Sequence, residues 1–229
     1  MGKDVIIACD FADKETALSF LDKFEGRKPF VKIGMELFYA EGPQIVREIK
    51  ARGHKIFLDL KLHDIPNTVK KSMAVLSRLD VDMCNLHAAG TSRMMEAALE
   101  GLTRPDGTRP LLIAVTQLTS TDQEAMERDL LIKEPIDKVV MHYAETAKNA
   151  GLDGVVCSPL EARKVHEVCG VFDRHSRRAL CGRRHRRPEA RHDTRAGEED
   201  RLRLHRCRQT DNRRARPRCG IREMHKRIC

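Results

Sequence analysis

No run of apolar residues in this 229-residue chain is long enough to cross a bilayer. The opening Met1-Gly-Lys-Asp-Val-Ile-Ile has too short an apolar stretch, soon closed by Asp10, to be a secretory leader. Cysteines are present, but Cys9, Cys84, Cys157 and Cys169 are scattered without paired spacing. That argues against a disulfide frame and reads as small buried hydrophobes of a reduced, cytoplasmic protein. No Gly-rich phosphate loop follows the first apolar strand, which argues against a dinucleotide-binding sheet. Past residue 171 there is neither Tyr nor Trp and a single Phe, Phe172, so the last quarter lacks the interleaved aromatics on which bases stack.

Charge is unevenly placed. The net +9 hides about −3 over residues 1–171 and about +12 over 172–229. The basic character therefore belongs to the last quarter and not to the body.

From the start to about Gly170, short apolar strands alternate with amphipathic helices. Strands are expected at Val5–Cys9, Phe30–Ile33, Lys55–Lys61, Met83–His87, Leu111–Leu118 and Gly154–Cys157. Helices are expected at Lys14–Phe24, Pro43–Ala51, Thr68–Leu79, Ser92–Leu102, Ile136–Asn149 and Pro159–Val168, the last capped by Ser158. Six such units predict a parallel sheet with helices outside, the first three quarters of an eight-unit (β/α)8 barrel, with an open doubly wound sheet as the alternative.

The densest chemistry lies in Phe57-Leu-Asp-Leu-Lys-Leu-His-Asp64. Residues two apart on a strand share a face, so Asp59 and Lys61 point the same way between apolar flanks. Ionised groups are costly to desolvate unless paired, so charge concentrated here must be matched by charge nearby. The C-terminal ends of the other strands supply it. Asp10 ends the first and Lys32 lies in the second; Asn85 and His87 lie on the fourth, and the fifth offers Thr116, Gln117 and Thr119. A structural ion pair at a strand end is the plainer reading, but two lysines on strands beside carboxylates favour an active site. Alternating ammonium and carboxylate groups keep one another ionised. Such a cluster can set a fixed negative charge against a substrate carboxylate. It can also stabilise a carbanion and then protonate it, as a cofactor-free decarboxylation requires.

These segments resemble the orotidine 5′-phosphate decarboxylase family. The similarity runs through Asp10-Phe-Ala, Phe30-Val-Lys32-Ile-Gly-Met-Glu-Leu-Phe, Asp59-x-Lys61-x-x-Asp64-Ile-Pro-Asn-Thr68, Leu86-His-Ala-Ala-Gly90, Val115-Thr-Gln-Leu-Thr-Ser-Thr121 and Gly151-Leu-Asp-Gly-Val-Val-Cys-Ser158. It covers about residues 4–171. The bare D-x-K-x-x-D pattern is shared with magnesium-dependent sugar-phosphate decarboxylases, whereas Ile65–Thr68 and Thr116–Thr121 side with the nucleotide enzyme. The resemblance implies a cytoplasmic homodimeric barrel converting orotidine 5′-phosphate (OMP) to UMP and CO2 in pyrimidine biosynthesis, with neither metal nor organic cofactor. Lys61 would be the proton donor to C6, Asp59 would face the departing carboxylate, and Lys32 would bridge carboxylates and ribose. Asp10 would hold a ribose hydroxyl, and Asp64 and Thr68 would reach into the partner's site. Thr119 would lie on the pyrimidine and phosphate side.

One departure is large. The family's T-P-G-I-R and V-G-R segments, which grip phosphate, are absent, and Ile221-Arg222 after Gly220 is a chance echo. Residues 172–229 are about one-third Arg with a single Lys, and their apolar residues follow neither strand nor helix periodicity. Residues 1–171 thus read as an incomplete barrel, and 172–229 as an Arg/His/Cys-rich tail. Its Cys and His lack zinc-site spacing. Out-of-frame translation of GC-rich DNA near codon 171 would produce this composition, and it predicts impaired activity for the chain. An inactive pseudoenzyme and a basic-tailed nucleic-acid-binding protein are the alternatives; nucleic acid is not the expected partner.

Overall fold

In a computed structural model of the chain, residues 5–24, 26–169 and 178–181 are described. The strands are β1 (Ile6–Cys9), β2 (Phe30–Gly34), β3 (Ile56–Leu62), β4 (Met83–His87), β5 (Leu111–Val115), β6 (Gly154–Cys157) and β7 (Arg178–Cys181). The helices are α1 (Lys14–Leu21), α2 (Met35–Glu41), α3 (Pro43–Ala51), α4 (Pro66–Leu76), α5 (Thr91–Leu102), α6 (Gln123–Leu130), α7 (Ile136–Asn149) and α8 (Ala162–Cys169). Two short 3-10 turns, Ser77–Leu79 and Ala88–Gly90, complete the elements. No described helix is long and apolar enough to cross a membrane.

All seven strands are parallel, and their order in the sheet is their order in the chain. A doubly wound sheet reverses its strand order at a switch point, so this sequential order selects the barrel family over the open alternative. The six expected β/α units are present. A seventh strand joins them inside the stretch expected to hold none: Arg178–Cys181 pairs with Gly154–Cys157. The edge of β6 on the side away from β5 is therefore paired. Among the described residues β1 has β2 as its one strand neighbour.

Alternation along the strands sorts side chains into two populations. Val31, Ile33, Ile56, Leu58, Leu60, Cys84, Leu86, Leu112 and Ala114 face the helices and join one continuous buried core. The other face holds Phe30, Phe57, Met83 and Ile113, a separate small cluster inside the curled sheet. Each of the first three lies two residues before a polar group, namely Lys32, Asp59 and Asn85. The barrel interior is thus an apolar floor with a polar layer directly above it, toward the C-terminal strand ends. Phe57, read from sequence as part of an apolar flank, shares the charged face and forms this floor.

Local chemistry fixes the element ends. The Asp13 carboxylate caps α1 by accepting the Thr16 N–H at 2.7 Å, and Asp122 caps α6 by accepting from Ala125 at 2.8 Å. Pro43 and Pro66 open α3 and α4, where a missing N–H costs nothing. Ser158 does not cap α8 as expected. That helix starts at Ala162, and the Glu161 carboxylate accepts the Ser158 N–H at 2.7 Å instead.

At the opposite end of the sheet two aspartates repeat one device. Asp82, just before β4, accepts from the Ile56 N–H at 2.8 Å and from Lys50 Nζ at 2.7 Å. Asp153, just before β6, accepts from the Leu112 N–H at 2.7 Å and pairs with both terminal nitrogens of Arg109. Each ties the start of one strand to the start of its neighbour and brings its own counter-charge.

Candidate active site

Four charged side chains meet at the C-terminal ends of β1 to β3. Lys32 Nζ lies 2.9 Å from Asp10 Oδ1 and 3.3 Å from Asp59 Oδ2. Lys61 Nζ lies 2.6 Å from Asp59 Oδ1. The chain of contacts runs Asp10–Lys32–Asp59–Lys61. Exposure is greatest at the rim and least at the carboxylate between the two lysines: the side chain of Asp10 is 62% exposed, while that of Asp59 is 11% exposed. Gly34 leaves room for this meeting, since a Cβ there would sit 3.3 Å from both Asp10 Oδ1 and Lys32 Nζ.

Electrostatics follow from the contacts. Burial pushes the Asp59 carboxyl up, but hydrogen bonds from Lys61 and Asn85 and the charges of Lys32 and Lys61 outweigh it, leaving it below the usual carboxylate range. Burial likewise works against the Lys32 ammonium, yet the hydrogen bonds and charges of Asp10 and Asp59 raise it above an ordinary lysine. Both ionised forms are therefore favoured together.

Lys61 departs from the strand that carries it. Its φ is 52°, in the left-handed region, and the β3–β4 register breaks between Leu58 and Leu62. Leu58 faces Cys84 and Leu62 faces Leu86, so three residues of β3 stand opposite Asn85 alone. A non-glycine residue in this conformation costs roughly 1–2 kcal/mol, and such outliers gather where function demands a particular geometry.

Beside the cluster, the rings of His63 and His87 lie 5.7 Å apart. Burial and the charges of His63 and Lys61 lower the His87 imidazole, with Asp59 opposing. Of the other residues singled out from sequence, Asp64 is exposed and its Oδ1 accepts the Ile65 N–H at 2.7 Å, outside the four-membered cluster. Thr68 is exposed in the first turn of α4, and Thr119 is exposed in the loop after β5. Buried Thr116 turns its hydroxyl onto the Val156 carbonyl at 3.0 Å. Asn85, noted from its phase on β4 but not placed among the site residues, touches both Asp59 and Lys61. The strand-end position was its legible signal; the bulge that brings it there has no local motif.

This arrangement is an electrostatic one, holding a fixed carboxylate and an ammonium side by side above an apolar floor. Residues 3–176 match the model of the orotidine 5′-phosphate decarboxylase / HUMPS family. The chain belongs to this family. Its curated relatives include orotidine 5′-phosphate decarboxylase of Bacillus cytotoxicus, 57% identical over 173 residues that make up 74% of this chain and 73% of that protein. The Bacillus mycoides enzyme is 56% identical over the same shares. Among solved structures, orotidine 5′-phosphate decarboxylase from Lactobacillus acidophilus superposes with a TM-score of 0.70 at 40% identity, covering 73% of this chain and 77% of that one. The Methanocaldococcus jannaschii enzyme, complexed with the inhibitor BMP, gives a TM-score of 0.61 at 20% identity over 74% and 75%, a likeness of fold. In this decarboxylase family member, residues 177–229 lie outside the family match.

Proposed function

We propose that the Asp10–Lys32–Asp59–Lys61 cluster decarboxylates orotidine 5′-phosphate to UMP. The substrate's C6–carboxylate bond breaks heterolytically, CO2 leaves, and the electron pair stays on C6. The Lys61 ammonium stabilises that charge as it forms and then gives its proton to C6, becoming a neutral amine. Asp59 stands against the departing carboxylate. Lys32 bridges Asp10 and Asp59 toward the ribose, and Asp10 takes a ribose hydroxyl. Asp64 and Thr68 serve the site of a partner copy in a cytoplasmic homodimer; their exposure and their position outside the home cluster support this. Thr119 attends the pyrimidine and phosphate side. The observation that carries the reading is Lys61 Nζ held 2.6 Å from an Asp59 carboxylate that also pairs with Lys32.

The chain's own activity is impaired on this reading, because the phosphate-gripping segments are missing. Remote binding energy orders and closes such sites, and each missing charge-assisted hydrogen bond weakens the grip by roughly 1.5–3 kcal/mol. We attribute residues 172–229 to a shift of reading frame near codon 171. The family match ends at residue 176, while the 173 matched residues make up nearly equal shares of this chain and of the Bacillus cytotoxicus protein. The two proteins are thus of similar length, with about a quarter of each outside the matched stretch. Nucleotide sequence in which no other frame encodes strand–helix periodicity would sink the attribution.

The test of the activity is loss of OMP absorbance with the purified chain, and with the chain whose residues 172–229 are exchanged for the Bacillus cytotoxicus C-terminal segment. Turnover by the exchanged protein is expected, with a fall on the order of 10⁴-fold or more in its Lys61→Ala form. Turnover that survives Lys61→Ala overturns the mechanism.

A further inference from the structure

Three residues of β3, Asp59 to Lys61, stand opposite one residue of β4, so the strand ladder cannot satisfy the Lys61 N–H. A side chain does so instead. Asn85 Oδ1 accepts the Lys61 N–H at 2.8 Å, and Asn85 Nδ2 donates to Asp59 Oδ1 at 2.7 Å. The two partners fix which end of the amide is which, because only the oxygen can accept from an N–H and only the nitrogen can donate to a carboxylate. Asn85 is 2% exposed and rises from Met83 in the apolar floor, so its own position is held from below.

We propose that Asn85 is a positioning residue for the decarboxylating cluster, binding the Lys61 backbone with one end of its amide and the Asp59 carboxylate with the other. This rests on the reading of that cluster given above. Oδ1 of Asp59 is taken by Lys61 Nζ and Asn85 Nδ2, which leaves Oδ2 toward Lys32. One amide therefore sets both the carboxylate's rotation and the left-handed turn that places the ammonium. Asn85 acts through these two residues and has no assigned contact with substrate.

The two ends of the amide can be separated experimentally in the full-length chain, labelled with ¹⁵N and with ¹³C at aspartate carboxyls. Asn85→Leu removes both bonds. Asn85→Asp keeps the acceptor for Lys61 but sets a second carboxylate against Asp59. The Asp59 resonance is identified by its loss in Asp59→Asn. In Asn85→Leu, Lys61 amide exchange is expected to quicken at least tenfold, and Asp59 to titrate at higher pH than in the parent. In Asn85→Asp, Lys61 is expected to stay protected while Asp59 still titrates higher. Unchanged Lys61 exchange and unchanged Asp59 titration in a folded Asn85→Leu protein overturn the proposal. Equal exposure of the Lys61 amide in both variants overturns it too. If Asn85→Leu does not fold, Asn85→Asp decides: a Lys61 amide as protected as in the parent together with a raised Asp59 titration supports the role, and any other pairing refutes it. These readouts need no turnover, so a chain that fails to release CO2 from OMP removes the decarboxylase reading and leaves this result standing. In the C-terminally exchanged protein, Asn85→Asp is expected to lower kcat at least tenfold with KM nearly unchanged.

Discussion

Lys61 and Thr91 both carry side chains in backbone conformations that L-residues avoid, but the surroundings treat them differently. The turn at Lys61 is held by the Asn85 amide and by the ion pair with Asp59. Thr91, at φ 74° and ψ 164°, occupies a region open in practice to glycine alone, and it is β-branched. Nothing in its contacts explains the residue. Thr91→Gly is expected to stabilise the protein by about 1–2 kcal/mol, read as an increase in the urea midpoint at unchanged slope. The charged cluster also sets a pH window. The folded Asp59 carboxyl lies below its unfolded value, so its contribution to stability is present above about pH 4 and is lost as pH falls through the folded value. Lys32 is raised, so its contribution is complete below about pH 10 and is lost as pH rises through the folded value. Urea unfolding across pH should show Asp59→Asn abolishing part of the acid-side decline and Lys32→Met part of the alkaline-side decline.

Among the elements, α4 and α5 approach each other closely at Gly101. A Cβ on Gly101 would run into the backbone carbonyl of Lys70, and a main-chain atom cannot swing aside. Gly101→Ala is expected to cost about 2 kcal/mol or more by forcing the helices apart, measured by chemical denaturation. The paired aspartates before β4 and β6 are a second test of element-level design. Asp153→Ala strips the Leu112 N–H and the Arg109 guanidinium of a shared acceptor and is expected to cost about 3 kcal/mol. Sequence pattern located most elements because their ends carry chemistry. Helix α7 and strand β6 stand at the expected Ile136–Asn149 and Gly154–Cys157, marked by Pro135 before and Gly151 between. Two helices went unread. Helix α2 has seven residues between Gly34 and Gly42, too few for a periodic stripe. Helix α6 buries only Met126, so it has no apolar stripe to read. The charged residues were legible for the same reason as the elements, through strand-end position. The bulge at Lys61 was not, because a register break depends on the neighbouring strand.

For the whole molecule, the parallel sheet and its sequential winding followed from alternation of strand and helix periods, whereas β7 did not. Arg178-Ala-Leu-Cys181 carries little strand preference of its own. Strand propensity is largely set by context, and the exposed backbone edge of β6 is a template that an extended segment can satisfy. Four residues paired on that edge are fewer than the five to seven in β2 to β5. Exchanging residues 172–229 for a family C-terminal segment is therefore expected to raise the thermal midpoint by at least about 10 °C, on the order of 3 kcal/mol or more for a chain of this size, as measured by calorimetry.

The four ionic groups and Asn85 all come from residues 10–87, on or just past the first four consecutive strands. Once that stretch has left the ribosome, every partner the charges need is already outside the tunnel, and the network can close before the rest of the polypeptide exists. On the proposed reading, damage to late codons would then spare these groups while depriving them of a grip on the phosphate, so proton transfer and phosphate binding would be inherited on different stretches of the message.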